Sequence, residues 1–104
     1  MTLKTIKDAQ DEVDKVIEKF GGYWPPLSML ASIVEEIGEV SREINALEKY
    51  KPKKEIRLKQ SIKEEIADTF FSLICIANYY NIDLKDELEK VIKKYMSRDS
   101  KRFH

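Results

Sequence analysis

The chain has 104 residues, of which 19 are lysine or arginine and 19 are aspartate or glutamate, so its formal net charge is zero. This balance provides no global attraction to nucleic acid or to an anionic membrane, and we expect neither as a partner. With 42% hydrophobic and 37% charged residues, the composition excludes a disordered chain and predicts one globular domain over residues 1–104.

Several features of the sequence predict a cytoplasmic protein. The longest apolar run, around Ile74 to Ala77, is far shorter than a bilayer requires. The first residues, Met1-Thr2-Leu3-Lys4, lead directly into charged, amphipathic sequence, so we expect no signal peptide. Cys75 is the single cysteine, which excludes an internal disulfide and favours a reducing compartment. Its apolar neighbours predict a buried, unreactive thiol.

Apolar residues recur at three- and four-residue spacing along four segments, and no segment alternates as a β-strand does. The first predicted helix runs over Thr5–Phe20 and ends at Gly21-Gly22. The aromatic turn Tyr23-Trp24-Pro25-Pro26 follows, because two prolines cannot continue a helix but can start one. The second predicted helix runs over Leu27–Glu48.

The run Lys49–Lys54, which contains a proline among lysines, predicts the connection to the third helix. That helix is expected from about Glu55 to Tyr80, with Asn81 as its stop. Asp83 is predicted to cap a fourth helix, which frays into a polar tail from Ser97 onward. The sequence therefore predicts an all-α fold of four helices, a bundle that a chain of this size often completes by oligomerisation.

Two of the predicted helices carry many apolar residues. In the second helix the apolar positions include Leu30, Ile33, Val34, Ile37, Val40, Ile44 and Leu47. In the third helix we expect the apolar residues to face inward: Leu58, Ile62, Ile66, Phe70, Leu73, Ile74 and Ala77. Gly38 is unfavourable inside a helix by roughly 1 kcal/mol against alanine. Its presence suggests the close approach of another helix or a ligand. The alternative is that the glycine is simply tolerated.

The same two helices each carry a pair of carboxylates three residues apart, Glu36 with Glu39 and Glu65 with Asp68. Three residues is nearly one helical turn, so each pair projects from one face. Antiparallel packing of the helices can bring the pairs together. Four converging carboxylates need a cation between them, and oxygen ligands of this kind suit a hard divalent metal.

Spacing alone leaves two interpretations of the acidic pairs open. A single Glu-x-x-Glu pair is usually a solvated helix face. Asp68 favours the metal interpretation most, because aspartate is a poor helix former and stands at the start of the most apolar stretch. The pattern excludes a di-iron bundle, which needs Glu-x-x-His motifs, since the single histidine is His104. It also disfavours zinc, because the chain has no cluster of cysteine and histidine.

The double motif and its surroundings resemble the all-α nucleotide pyrophosphohydrolases of the MazG type. The resemblance rests on Glu35-Glu36-Ile37-Gly38-Glu39-Val40 and Glu64-Glu65-Ile66-Ala67-Asp68, and it covers roughly Thr5–Arg98. It implies that Glu36, Glu39, Glu65 and Asp68 are ligands of magnesium, with manganese as a possible substitute. It also implies hydrolysis of nucleoside triphosphates between the α and β phosphates, which yields a monophosphate and pyrophosphate.

Other residues are candidates for substrate contacts, each with a structural alternative. Lys90, Lys94 and Arg98 recur at four-residue spacing and could bind phosphates, or form an ordinary solvated face. Relatives often carry a Lys-Asn-x-x-Arg element here, whereas this chain has Lys94-Tyr95-Met96-Ser97-Arg98 and lacks the asparagine. Trp24 could stack on a base or simply pack. Glu35 could act as the general base or remain a solvated glutamate.

We therefore expect a magnesium-dependent nucleoside triphosphate pyrophosphohydrolase with a housekeeping role, assembled as a homodimer or homotetramer. One alternative within the same chemistry is a dUTPase-like enzyme or a phosphoribosyl-ATP pyrophosphohydrolase. An alternative of another class is a non-catalytic helical interaction module, in which the acidic pairs fix an assembly.

Overall fold

The structure, a computed structural model, describes residues 1–49 and 52–102; within the helices, the side chains of residues 52–56, 58 and 99–102 are outside the description. The described residues form four helices and no strand: α1 (Ile6–Lys19), α2 (Pro26–Lys49), α3 (Pro52–Tyr79) and α4 (Leu84–Arg102). This confirms the all-α prediction. None of the helices in this part of the chain is long and apolar enough to cross a membrane.

Short-range signals set most helix ends where the sequence predicted them. Thr5 caps α1, because its hydroxyl accepts a hydrogen bond from the Asp8 N–H at 3.0 Å. After α1, Gly22 has φ +97° and donates its N–H to the Ile17 carbonyl at 2.9 Å, a left-handed stop that glycine adopts without strain. Asn81 ends α3 in the same way with φ +55°.

Two predicted boundaries were wrong, both because the helix is longer than expected. The third helix begins at Pro52, not near Glu55, since the fixed φ of proline suits a first helical turn. Tyr50 and Lys51, in the predicted connection, lie outside the described residues. The fourth helix continues to Arg102 instead of fraying from Ser97, and basic residues favour a helix C-terminus. The last residues of the predicted tail, 103 and 104, are likewise outside the description.

The core lies where α1 and α2 pack against α3. Val13 of α1, Met29 of α2, and Ile74 and Cys75 of α3 form its buried cluster. The α2–α3 hairpin is antiparallel, so the middle of α2 faces the middle of α3, and α4 packs against α1. Burial of Cys75 confirms its prediction as a small core residue.

The expectation that the apolar residues of α3 face inward is confirmed for Ile74 and Ala77, and it was wrong within a single chain for Ile66, Phe70 and Leu73, which are exposed. In α2, Ile33 is buried, whereas Leu30, Val34, Ile37 and Ile44 are exposed. Each of these helices is apolar on more than one face, and the packing within the chain covers only one of them. Leu58 lies outside the residues whose side chains are described.

Gly38 is also open within the chain. Among the described residues, a Cβ added at Gly38 would meet nothing within 4 Å, so none of them makes the close approach that its presence suggested.

One buried polar side chain joins three of the helices. Gln10 of α1 is only 7% exposed. Its Nε2 donates to Asn78 Oδ1 at 2.9 Å and to the Ile82 carbonyl at 2.8 Å. Its Oε1 accepts a hydrogen bond from the Leu84 N–H, the first residue of α4, at 3.0 Å. Gln10 therefore fixes the ends of α3 and α4 against α1.

We predict that Gln10→Leu lowers the free energy of unfolding by about 2–4 kcal/mol, because it leaves the Leu84 N–H and the Ile82 carbonyl without their partner. The matched control is Gln60→Leu at an exposed glutamine of α3, which should change stability by less than about 0.5 kcal/mol. Urea denaturation measures both. Equal losses in the two variants would contradict the assignment of a structural role to Gln10.

Candidate active site

The α2–α3 hairpin brings the two acidic pairs to one place. Glu65 of α3 is half-buried. Loss of water around Glu65, followed by the negative charges of Asp68, Glu39, Glu36 and Glu43, raises the pKa of the Glu65 carboxyl above its usual value. The other three residues of the two predicted pairs thus act on Glu65, and two of them, Glu36 and Glu39, act on it from the other helix.

Glu36 is held between the two helices by serine hydroxyls. Ser32, one turn earlier on α2, donates to Glu36 Oε1 at 3.3 Å. Ser72 of α3 donates to both Glu36 carboxylate oxygens at 3.4 Å. These contacts orient the carboxylate toward α3, and the side chain is half-buried.

Glu39 forms an ion pair with Arg42, one turn later on α2. The hydrogen bond and the charge of Glu39 raise the pKa of the Arg42 guanidinium. Arg42 is largely exposed, so this contact neutralises Glu39 at the surface of the acidic cluster.

These side chains offer the oxygen donors that a metal site needs, but the donors do not converge on one point. Among the described residues, no three side chains of His, Cys, Asp or Glu lie close enough together to hold an ion as they stand. Carboxylates without a cation repel each other, and here Glu39 turns to Arg42 while Glu36 turns to Ser72. The all-oxygen donor set suits magnesium or manganese in its chemistry. Coordination would require side-chain rotation, in particular release of Glu39 from Arg42.

Glu43 was missed by the sequence reasoning, although the signal was present. Glu36, Glu39 and Glu43 have spacing i, i+3, i+7, which places all three on one helical face. In the structure, the charge of Glu43 is among those that raise the pKa of Glu65. Glu35, the candidate general base, is exposed and is not among the charges that raise the Glu65 pKa.

An aromatic cavity of about 250 Å³ lies beside Glu36. Ser32 and Ser72 line it, and both donate to Glu36, so one wall of the cavity adjoins the acidic cluster. Its other lining residues are mostly apolar or aromatic: Ile17, Phe20, Gly22, Tyr23, Trp24, Met29, Phe71 and Cys75. Trp24 is 66% exposed, so its ring is available at the edge of the cavity.

Two groups in the cavity wall are protonated at neutral pH. The Tyr23 hydroxyl donates to Asp14 Oδ1 at 2.7 Å and accepts from Asn78 Nδ2 at 2.9 Å. Burial and then the hydrogen bond to Asp14 raise the pKa of Tyr23 to about 12. Burial and the nearby charge of Glu36 raise the pKa of the Cys75 thiol. This disfavours a nucleophilic role for Cys75.

The basic candidates lie along α4. Lys90 pairs with Glu87 at 3.2 Å, the Lys94 Nζ is 5.0 Å from the centre of the Tyr95 ring, and the Arg98 Cζ is 5.5 Å from it. α4 packs against α1, whereas the acidic pairs lie on α2 and α3. A role for these residues toward phosphate stays a prediction.

The chain is an all-α protein in which the antiparallel helices α2 and α3 carry neighbouring carboxylates beside an aromatic cavity. The family model of the MazG nucleotide pyrophosphohydrolase domain matches residues 25–103. The chain belongs to this family.

Individual relatives agree with this assignment. The chain is 43% identical over 104 residues to the uncharacterized protein YpjD of Bacillus subtilis (strain 168), covering 99% of this chain and 94% of the relative. A crystal structure of a Bacillus-conserved MazG protein, a nucleotide pyrophosphohydrolase, is 43% identical with a TM-score of 0.75, covering 91% and 93% of the two chains. A structure of YpjD from Bacillus subtilis, described as a candidate pyrophosphatase, is 44% identical with a TM-score of 0.78, covering 91% and 98%.

We predict that Glu65→Gln raises the melting temperature in the presence of a chelator. The folded pKa of Glu65 is raised, so its ionisation costs folding stability as the pH rises from the unfolded to the folded pKa, and the cost is fully present above the folded pKa. Magnesium should raise the melting temperature of the parent protein more than that of the variant, because the variant lacks one of the four carboxylates predicted as ligands.

Calorimetry with and without magnesium measures both effects. Glu64→Gln, at the exposed neighbouring glutamate, is the control and should respond to magnesium as the parent does. A Glu65→Gln variant that melts below the parent in chelator would contradict the repulsion among these carboxylates.

Proposed function

We propose that this protein is a magnesium-dependent nucleoside triphosphate pyrophosphohydrolase that acts on ribo- or deoxyribonucleotides in housekeeping of the nucleotide pool. The observation that carries the proposal is the electrostatic effect of carboxylates of α2 and α3 on Glu65, beside an aromatic cavity, in a member of the MazG family. The relatives support pyrophosphate chemistry in general. Magnesium, the substrate and the residue roles are the proposed part.

Glu36, Glu39, Glu65 and Asp68 would hold magnesium, with manganese as a substitute. When bound, the ion would neutralise these carboxylates and the substrate's phosphates and lower the pKa of a bound water. The protein's own contribution is to orient this ligand set. Ser32 and Ser72 hold Glu36 in place across the helix interface, as partners of ligating carboxylates generally do.

The reaction transfers the α-phosphoryl group to water. A water oxygen bonds to the α-phosphorus, the bond from that phosphorus to the bridging oxygen breaks, and pyrophosphate leaves. The proton lost by the water needs a carboxylate that is not fully engaged as a ligand. Glu43 acts electrostatically on Glu65 and lies outside the predicted ligand set, so it suits this role better than the exposed Glu35.

The aromatic cavity would take the nucleobase. Its volume of about 250 Å³ is near the lower end of the roughly 300–1,000 Å³ of ligand pockets, which suits part of a small ligand. Trp24 and Tyr23 offer ring faces for stacking. Because the cavity adjoins Glu36, a base placed there would direct its phosphates toward the acidic cluster. Lys94 and Arg98, with Lys90 as a weaker candidate, would bind phosphates from α4.

We predict magnesium-dependent release of pyrophosphate from nucleoside triphosphates. A panel of normal and damaged ribo- and deoxyribonucleotides, assayed with and without magnesium, measures it. Glu36→Gln and Asp68→Asn should each reduce kcat/KM by at least about 100-fold. Changes to residues that only hydrogen-bond a metal ligand cost up to about this much, and loss of a ligand itself should cost no less. Glu64→Gln should leave the rate unchanged.

No release from any nucleotide by folded, magnesium-loaded protein would contradict this proposal. Activity on phosphoribosyl-ATP alone would then assign the biosynthetic reaction, and activity on dUTP alone a dUTPase-like enzyme. Inactivity on all of them would favour the non-catalytic interaction module.

We also propose that the protein forms a homodimer or homotetramer. Five apolar residues of α2 have heptad-like spacing and are exposed in the single chain: Leu27, Leu30, Val34, Ile37 and Ile44. Gly38 lies within this α2 stripe, and the space at its Cβ position is open. A second copy packed on the stripe would bury it and give a reason for the glycine. The stripe is roughly 150° around the helix from the acidic residues, so such pairing leaves the site accessible.

We predict that Val34→Glu shifts the protein toward the monomer, because it places a charge in the middle of the α2 stripe, where Val34 is 62% exposed. Light scattering coupled to size-exclusion chromatography measures the mass. Ser28→Glu, on an exposed position of α2 away from the stripe, should keep the parent's mass. A parent protein that is monomeric at high concentration would contradict the proposed assembly.

A further inference from the structure

Tyr23 occupies a segment whose backbone does not fix its side chain. It follows Gly21 and Gly22, which both have positive φ, and precedes Pro25, so it lies between α1 and α2 and outside both helices. Its ring nevertheless forms part of the wall of the aromatic cavity. Something other than helical geometry must hold the ring in this place.

Hydrogen bonds at the far end of the ring provide that restraint. The Tyr23 hydroxyl donates to Asp14 of α1 at 2.7 Å and accepts from Asn78 Nδ2 of α3 at 2.9 Å. Residues of two helices, α1 and α3, thus fix the position of the Tyr23 hydroxyl oxygen. The raised pKa of Tyr23, about 12, agrees with a hydroxyl that keeps its proton to donate to Asp14.

Asn78 is itself immobilised by its other bonds. Its Nδ2 also donates to the Gln10 carbonyl at 2.9 Å, which uses both amide hydrogens, and its Oδ1 accepts from Gln10 Nε2. Rotation of Asn78 would break all of these bonds together. Gln10 continues the network to the first residue of α4 through the Leu84 N–H. The anchor of Tyr23 is therefore a connected network that spans α1, α3 and α4.

We propose that the Tyr23 hydroxyl is a positioning group: Asp14 and Asn78 hold the ring as a preformed wall of the aromatic cavity, against which the nucleobase of the substrate stacks. This inference rests on the proposed function, and it adds residues that touch neither the phosphates nor the ligand set. The hydroxyl does not contact the base, because its donor hydrogen is engaged by Asp14. Tyr23 contacts the base through the face of its aromatic ring.

A Tyr23 ring that is already held in place needs little further ordering when a base binds, and this improves the binding affinity. An aromatic side chain on a short non-helical segment would lose rotamer freedom when a base stacks on it. Here the network has already removed that freedom in the free protein. The effect should appear in the affinity for the base-carrying substrate and not in the chemical step.

Trp24, the single tryptophan of the chain, lines the same cavity and reports its occupation. Quenching of its fluorescence by a nucleoside triphosphate analogue with a non-hydrolysable α–β bridge measures Kd. Pyrophosphate release measures kcat and KM for nucleotides and for a ribose triphosphate that carries no base. The informative variants are Tyr23→Phe, which keeps the ring, and Asp14→Ala, a change at an exposed residue.

Asp14→Ala removes one of the two hydrogen bonds of the hydroxyl, and Tyr23→Phe removes both. We expect both variants to raise Kd and KM for nucleotides about 3- to 10-fold, with kcat nearly unchanged. Turnover of the base-free triphosphate should match that of the parent. Asp14→Asn keeps an acceptor for the hydroxyl and should restore most of the affinity. Asp11→Ala removes a carboxylate of the same helix that pairs with Lys7 and should have no effect.

Two results would overturn the inference while leaving the proposed function intact. One is unchanged Kd and KM in both variants of an active protein. The other is an equal loss on the base-free triphosphate, which would indicate a general structural role. A parent protein that neither releases pyrophosphate nor shows quenching by any nucleotide would overturn the proposed function and this inference together.

Discussion

Repulsion between carboxylates across the α2–α3 interface is the constraint on which this molecule depends. Apolar contacts, represented by Ile33, Ile74 and Ala77 in the core, hold the two helices together, and the charges of Glu36 and Glu39 of α2 act on Glu65 of α3. Loss of water, followed by the charges of Asp68, Glu39 and Glu36, raises the pKa of Glu65. A helix interface of this kind costs stability in the free protein, and a cation or a charged partner offsets that cost. Arg42 and the serine hydroxyls already reduce part of it.

Features that depend on neighbouring residues could be predicted from the sequence. The helix ends at Gly22 and Asn81 need a left-handed backbone conformation, and glycine and asparagine adopt it at low cost. The Glu36–Glu39 and Glu65–Asp68 pairs follow from helical spacing alone. The antiparallel contact that joins the pairs follows from the short connection between the helices. The family resemblance added the proposed chemistry to this geometry.

Features that depend on tertiary contacts could not be predicted in the same way. Ile33 is buried and its neighbour Val34 is exposed, although both are β-branched and apolar, because only one face of α2 meets α3 in the single chain. The bond between Gln10 and Asn78 joins residues 68 positions apart. Nothing in the local pattern around Gln10 distinguishes a buried glutamine from a solvated one, so the network behind Tyr23 became visible only in the fold.

A single turn of α3 connects the aromatic cavity to the acidic cluster. Phe71 and Cys75 line the cavity, while Ser72, between them in the sequence, also donates to Glu36. A shift of this turn would therefore move the cavity wall and the carboxylate together. Substitution of the Phe71 side chain, in contrast, changes the shape of the cavity without removing a contact to Glu36. Under the proposed function, in which the cavity takes the nucleobase, this geometry allows the base preference to diverge among relatives while the acidic pairs stay in place.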